Sequence, residues 1–211
     1  MERTIERLIL FKRYLKEMNR LKVDKIRSHE LAEIAGVSAA QVRQDLMNIG
    51  YSGNQRGYEV KPLTESIEHF LGTDEVQNVA IIGIGNLGRS IIGYFTGYRS
   101  MFRIIAGFDR NQRKTGRVIH GCKCYSIDDF ERVVNDKEIS IAIIAVPAPS
   151  AQSVADICIR SGIRGIVNFT PMRLQVPESI YVSDVDIAVS LEKVAFFVSN
   201  TGNEATHEPD R

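Results

Sequence analysis

The sequence lacks a long apolar run, a leader segment and an excess of charge. No stretch approaches the roughly 18 consecutive apolar residues that span a bilayer, and no basic–apolar–small segment opens the chain. Both absences predict a cytoplasmic protein without a membrane partner. The formal net charge is only +1, so the chain as a whole does not advertise a polyanion. Cysteine is scarce and odd in number: Cys122, Cys124 and Cys158. Cys122-Lys123-Cys124 is too tight for a zinc pair and no second pair exists, so reduced structural thiols and no metal are expected. The four histidines, His29, His69, His120 and His207, include none at a predicted strand end with an acid partner. No Tyr-x-x-x-Lys pair follows the glycine turn described below. Catalytic residues are therefore not expected, and neither is an enzyme.

What is present is organised around Gln77 to Gly88, QNVAIIGIGNLG. The apolar run Val79-Ala80-Ile81-Ile82 ends in Gly83-Ile84-Gly85-Asn86-Leu87-Gly88, and the periodic segment Ser90 to Phe95 follows at once. Strand, glycine turn, helix is the context in which G-x-G-x-x-G means dinucleotide binding. Gly83 allows the tight turn, Gly85 lets the backbone approach a pyrophosphate at the positive helix end, and Gly88 lets helix and strand pack closely. Arg103 to Phe108 reads as a second strand ending in Asp109, about 20 residues past the last glycine, where an acid accepts from the ribose hydroxyls of NAD. The following Arg110-Asn111-Gln112-Arg113-Lys114 is basic, and an arginine there favours the extra phosphate of NADP. The carboxylate of Asp109 would repel that phosphate, so NADH and NAD⁺ are the expected cofactors.

The first sixty residues lean basic. Ile5, Leu8, Ile9, Phe11, Leu15 and Met18 recur at helical spacing, interleaved with Arg3, Arg7, Lys12, Arg13, Lys16 and Arg20. Ser28 is the expected cap of a short helix that carries Leu31, Ile34 and Ala35 inward, closed by Ala35-Gly36-Val37. Ser38-Ala39-Ala40-Gln41 is a capping box opening a second helix, with Val42, Leu46 and Ile49 inward and Gln41, Arg43, Gln44 and Asn48 outward. Helix, glycine turn, helix with polar tips is the helix-turn-helix pattern. Arg43 and Gln44 are types that read base edges, and Ser38 and Gln41 suit phosphate at the helix start. Asp45 would repel phosphate, so it is assigned to a structural bond. Tyr51 to Val60 suits a wing, with Gln55-Arg56-Gly57 as its turn, Tyr58-Glu59-Val60 as its return strand and Arg56 aimed at a minor groove. Thr64 to Gly72 reads as a linker helix.

Beyond Asp109, Arg117 to Tyr125 reads as a small strand excursion and Ser126 as the cap of a helix from Asp128 to Val134. Ile139 to Pro147 reads as a buried parallel-sheet strand. Its end, with Val146 and Pro147, and the end of the next strand, at Asn168, would face the ligand cleft of a doubly wound sheet. Asp186 to Phe197 is apolar on most sides, which predicts a helix docked on a partner subunit. The expected fold is α/β: a winged helix-turn-helix DNA-binding domain with its linker helix over 1–76, a Rossmann-like dinucleotide domain with a doubly wound parallel sheet and a C-terminal helix over 77–200, and a disordered tail over 201–211. A nucleotide sensor explains both halves. Two other readings stay open: a small NAD-dependent oxidoreductase with an N-terminal protein-interaction module, and a non-catalytic module for another nucleotide such as coenzyme A.

The chain resembles the Rex family of redox-sensing transcriptional repressors over essentially its whole length. The resemblance rests on SAAQVRQDLMNIG (Ser38 to Gly50), Gly57-Tyr58, Val79 to Gly88, Phe108-Asp109, Ala145-Val146-Pro147, Asn168-Phe169-Thr170-Pro171 and Val185-Asp186. It implies a homodimer that binds palindromic double-stranded operator DNA and NAD(H), is released from DNA by NADH, and exchanges its C-terminal helix between subunits. It also implies a switch in which Arg13 pairs with Asp186 of the other subunit and Tyr94 takes part. This sequence departs from the family pattern at Gln44, where a basic residue is usual, at Gly53 and Gly57, which stand one residue closer than usual, and at Arg110-Asn111, where a second acid is common.

Overall fold

The computed structural model describes residues 1–54, 56–96 and 101–201. The chain divides into two compact units, one spanning Met1–Val76 and a second beginning at Gln77.

The first unit is built from α1 (Glu2–Arg20), β1 (Lys25–Ile26), α2 (Ser28–Ala35), α3 (Ala39–Asn48), β2 (Tyr58–Glu59) and α4 (Val60–Phe70). Leu8, Phe11 and Leu15 of α1 are fully buried on one stripe, and they meet Leu31 of α2, Val42 and Leu46 of α3, and Leu63 and Ile67 of α4 in one core. Gly36 ends α2 in the left-handed region, φ 62°, a backbone state that costs glycine nothing. The Ser38 hydroxyl accepts from the Gln41 N–H and starts α3.

Several expectations for this unit need correction. Arg27, not Ser28, is the cap of α2, where the Glu30 carboxylate accepts its N–H at 2.8 Å. Ile34 is exposed and Ala32 takes the inward place. The return strand of the wing pairs antiparallel with β1, Ile26 opposite Tyr58, and the wing shrinks to a turn closed by Asn54 and Gly57, which exchange both backbone hydrogen bonds. Gln55, expected in that turn, lies outside the described residues. Val60 belongs to α4, not to the strand. That helix starts four residues before the expected linker helix, and its buried face makes it part of the core rather than a connector.

The second unit is a seven-stranded sheet in the order β5-β6-β4-β3-β7-β8-β9. Its elements are β3 (Gln77–Ile82), α5 (Asn86–Thr96), β4 (Phe102–Asp109), β5 (Val118–Ile119), β6 (Cys122–Ser126), α6 (Phe130–Asp136), β7 (Ile141–Ile144), α7 (Ala151–Arg160), β8 (Gly165–Asn168), β9 (Tyr181–Asp184) and α8 (Ile187–Thr201). All neighbouring strands run parallel except β5, which forms a hairpin with β6. The strand order reverses direction beside β3, so the carboxyl ends of β3, β4 and β7 diverge around a crevice, where open α/β sheets hold ligands. Ala80, Ile82, Phe108, Ala142 and Ile144 pack on α6 and α7 on one side of the sheet, and Ile81, Ile84, Ile91 and Ile92 form the second cluster on the other. The helix expected over Asp186 to Phe197 begins one residue later and runs on to Thr201. Seven large apolar side chains of α8, Ile187, Val189, Leu191, Val194, Phe196, Phe197 and Val198, are exposed. Residues 202–211, most of the expected tail, lie outside the described residues.

Candidate functional site

In the second unit, the crevice is a cavity of about 510 Å³ beneath the glycine turn, lined by Gly83, Gly85, Asp109, Arg110, Lys114, Val146, Pro147 and Ser150 among others. Gly83 has φ 97°, and a Cβ there would strike the carbonyl of Ala145, just past the end of β7. A Cβ on Gly88 would strike the Gly83 carbonyl, so α5 touches the turn backbone to backbone. A Cβ on Gly85 would meet nothing within 4 Å; this glycine faces the opening. The first N–H groups of a helix have no partner within it, so the start of α5, next to Gly85, is suited to an anion.

Asp109 ends β4 with its carboxylate held from three sides. The Ile84 N–H donates to Oδ2 at 3.0 Å, the Asn111 N–H to Oδ1 at 2.9 Å and the Lys114 ammonium to Oδ2 at 2.6 Å. Burial alone would raise its pKa, but Lys114 and the two backbone donors outweigh it and hold the group below the usual carboxylate range. Arg110 reaches the other wall, where its Nη2 donates to the Ser150 hydroxyl at 2.9 Å.

Of the residues expected to hold a cofactor, Gly83, Gly85, Asp109, Val146 and Pro147 line the cavity. Asn86 and Leu87 begin α5, both exposed; Ile84 is buried and contributes its N–H to Asp109; Gly88 lies under the turn. Asn168 is the correction. It is fully buried, its amide donates to the Met172 carbonyl and to Asp184 Oδ1, and its Oδ1 accepts from the N–H and hydroxyl of Thr170. Those four bonds occupy the carboxamide, so it ties the end of β8 to β9 instead of lining the cavity. Lys114, in the sequence one of several cations in a basic loop, makes the shortest bond to Asp109.

The first unit carries a separate groove of about 380 Å³ beside α3, lined by Arg27, Ser28, His29, Arg43, Met47, Tyr51 and Asn54 among others. Arg43 is exposed and its Nη1 donates to the Ser28 hydroxyl at 3.3 Å. Gln44 is exposed and bonds Asn48 one turn on. Ser38 is committed to its cap, and the side chain of Gln41 donates to Asp45 at 3.0 Å; it does not turn back to complete a capping box. Arg56 is exposed at the turn, where its N–H donates to Asn54 Oδ1. Arg27 and His29 escaped the sequence reading because they precede or open a helix whose pattern drew attention only to its apolar positions.

Asp45 is fully buried although it sits on α3. Arg7 Nε donates to its Oδ2 at 2.6 Å and Nη2 to its Oδ1 at 2.8 Å, a bidentate pair that pins α1 to α3. Lys12 donates to Thr73 and Lys16 pairs with Glu68, so much of the basic face of α1 serves internal bonds. The three residues that the resemblance implies as a switch lie on different elements. Arg13 is exposed on α1, Tyr94 is exposed on α5, and Asp186 Oδ1 accepts the N–H groups of Ala188 and Val189 at the start of α8. Neither unit assembles the trio by itself, since Arg13 belongs to one and the other two to the second. Among the described residues no cluster of His, Cys, Asp and Glu is arranged to hold a metal, and no helix is long and apolar enough to cross a membrane.

Comparison with known proteins agrees with this two-part architecture. Residues 2–46 match the family model described as putative DNA-binding protein N-terminus, and residues 74–172 the one described as CoA binding domain. The redox-sensing transcriptional repressor Rex of Lactobacillus acidophilus is 38% identical over 198 residues, 93% of this chain and 94% of that protein. The Rex of a Roseiflexus species is 39% identical over 205 residues, 96% of this chain and 93% of that protein. The crystal structure of RSP in complex with NAD⁺ and operator DNA matches with a TM-score of 0.89 at 34% identity, covering 99% of this chain and 98% of that one. RSP in complex with NADH matches with a TM-score of 0.84 at 35% identity, covering 97% of each chain. The fold is thus the winged helix-turn-helix joined to a Rossmann-like domain that the pattern of helices, turns and strands describes, and the chain belongs to the Rex family of redox-sensing transcriptional repressors.

Proposed function

We propose that this protein is a homodimeric repressor that binds palindromic operator DNA through α3 and is released from it by NADH, so that transcription follows the cellular NADH/NAD⁺ ratio. The observation that carries this reading is the near-complete match to one repressor crystallised both with NAD⁺ and operator DNA and with NADH. The cavity of the second unit supports it: its volume suits a nucleotide, Gly85 opens it at the head of α5, and Asp109 stands where a ribose is received. In the first unit, Arg43 and Gln44 project from α3 toward solvent, with Arg56 at the adjoining turn, for major- and minor-groove contact respectively. The exposed apolar side chains of α8 suit a helix exchanged between two subunits. Arg13, Tyr94 and Asp186 are the residues through which that exchange would report the nucleotide. The protein works in the cytoplasm, where its nucleotide and its DNA meet.

The mechanism is a shift between two dimer arrangements. Half-sites lie about 34–36 Å apart, so an arrangement that NADH prefers and that misplaces one α3 loses half the contacts. Coupling is reciprocal: operator weakens NADH by the factor by which NADH weakens operator. Nothing switches if the nucleotide binds both arrangements equally. The test is fluorescence anisotropy of a labelled A·T-rich palindromic duplex at fixed salt, titrated with NADH and separately with NAD⁺. Release by NADH but not NAD⁺ is expected. Arg43→Ala is expected to lose specific DNA binding and keep NADH affinity, and Asp109→Ala to do the reverse. DNA binding indifferent to both nucleotides, or loss of both activities in both variants, refutes the proposal.

A further inference from the structure

The carboxylate proposed above to receive the ribose is already occupied. Asp109 Oδ2 accepts both the Ile84 N–H and the Lys114 ammonium, and Oδ1 accepts the Asn111 N–H. A carboxylate offers about four lone-pair positions, so roughly one remains for a ribose hydroxyl while Lys114 stays in place. The pair is well enclosed, with side-chain exposures of 24% for Lys114 and 13% for Asp109, so solvent screens it weakly. Arg110 adds a second cation to the cavity lining, its Nη2 at the Ser150 hydroxyl. The rim therefore carries one carboxylate and two cations, a positive balance where a lone aspartate would present a negative one. A lone aspartate rejects a 2′-phosphate by repulsion, and an arginine nearby accommodates it.

We propose that Lys114 sets how strictly this site distinguishes NADH from NADPH: paired with Asp109, it cancels the carboxylate's repulsion of a 2′-phosphate and competes with the ribose hydroxyls for the same oxygen. This rests on the reading of the cavity as a dinucleotide site. Lys114 is thus a specificity-determining residue acting partly through Asp109. Removing its charge does two things at once. It restores the negative field against the 2′-phosphate, and it frees an Asp109 lone pair for the second ribose hydroxyl. Both move the two affinities apart.

The test is titration of the full chain with NADH and with NADPH, followed by nucleotide fluorescence, in the wild type, Lys114→Gln and Lys114→Arg. The ratio of the NADPH to the NADH Kd is expected to rise about tenfold in Lys114→Gln, equivalent to about 1.4 kcal/mol, and to return toward wild type in Lys114→Arg. The wild-type affinity for NADPH is expected to weaken with added salt more than that for NADH. A merely structural lysine would lower both affinities together and leave the ratio unmoved. A ratio unchanged within twofold in Lys114→Gln, with NADH still bound, overturns this inference and leaves the dinucleotide reading standing. Failure of the wild type to bind NADH at all would overturn both.

Discussion

Removing the guanidinium of Arg7 tests how the first unit is held together. In Arg7→Met the aliphatic stem still packs, but the Asp45 carboxylate, 1% exposed, loses a bidentate partner whose own side chain is 16% exposed. Breaking a buried ion pair from one side costs about 3–5 kcal/mol because the remaining charge is stranded. Here the outer edge of Arg7 reaches solvent and Gln41 still donates to Asp45, so water and one hydrogen bond recover part of that, leaving a loss of about 2–3 kcal/mol. With two compact units the chain need not unfold in one step, so the assay is hydrogen exchange resolved on the amides of α1 and α3. A loss of that size accelerates exchange through unfolding of the first unit roughly 30- to 150-fold. The double variant Arg7→Met/Asp45→Leu is expected to recover most of the loss, since it strands no charge. Acid supplies the sign. Burial would raise the Asp45 pKa, but the bonds from Arg7 and Gln41 outweigh it and hold the carboxyl below its usual range. A carboxyl depressed in the folded state contributes stability above its unfolded pKa, near 4, and loses it as pH falls through the folded value. The gap between wild type and Arg7→Met should therefore close on acidification. A variant within about 0.5 kcal/mol of wild type at pH 7, or a gap that widens in acid, refutes the reasoning.

Gly85→Ala is expected to leave the unliganded melting temperature unchanged, because its Cβ meets nothing within 4 Å, yet to weaken NADH about tenfold or more by blocking the pyrophosphate; an unchanged Kd would move the phosphates elsewhere. Gly88→Ala is expected to destabilise the second unit by about 2 kcal/mol or more, since its Cβ falls on the Gly83 carbonyl; a wild-type melting curve would contradict that. The cysteine thiols are buried, and burial pushes Cys122 up to about 11 and Cys158 up to about 12. At pH 8 the native chain should not react with Ellman's reagent and the urea-unfolded chain should release colour from all three; rapid reaction of the native chain would sink this. Leu191→Glu/Phe196→Glu on the exposed face of α8 is expected to convert a dimer to a monomer by light scattering, and a persistent dimer would place the contact on other surfaces.

The parts legible in the sequence were those specified by neighbours along the chain. The turn from β3 into α5 needs glycines at fixed offsets, and Asp109 follows at a fixed distance because one helix and one strand intervene. The start of α3 was legible in Ser38 for the same reason. Asp45 was assigned to a structural bond by elimination, but its partner, Arg7, stands 38 positions away and looked like one more cation on a basic face. The turn and return strand of the wing were legible, but not the strand they pair with: β2 joins β1, across two helices, and no local pattern specifies that pairing. Asn168 sits at a strand end in the same manner as Val146, and only its four partners reveal that it serves the sheet. Lys114 was hidden by its surroundings: in a run of basic loop residues, the one that folds back on Asp109 carries no mark of its own.

The glycine turn limits which substitutions the chain can accept. The space that Gly83 vacates is filled by the Ala145 carbonyl, and the space that Gly88 vacates is filled by the carbonyl of Gly83. Each position is small because another backbone occupies the room, so a side chain at either one meets peptide groups that no rotamer change can move aside. Drift cannot cross this stretch one substitution at a time, because no compensating change at a neighbouring side chain reopens the gap. Gly85, with open space before it, is under no such constraint from the fold, and only the ligand guards it. Descendants of this chain that abandoned the nucleotide would shed Gly85 first and keep Gly83 and Gly88 as a linked pair.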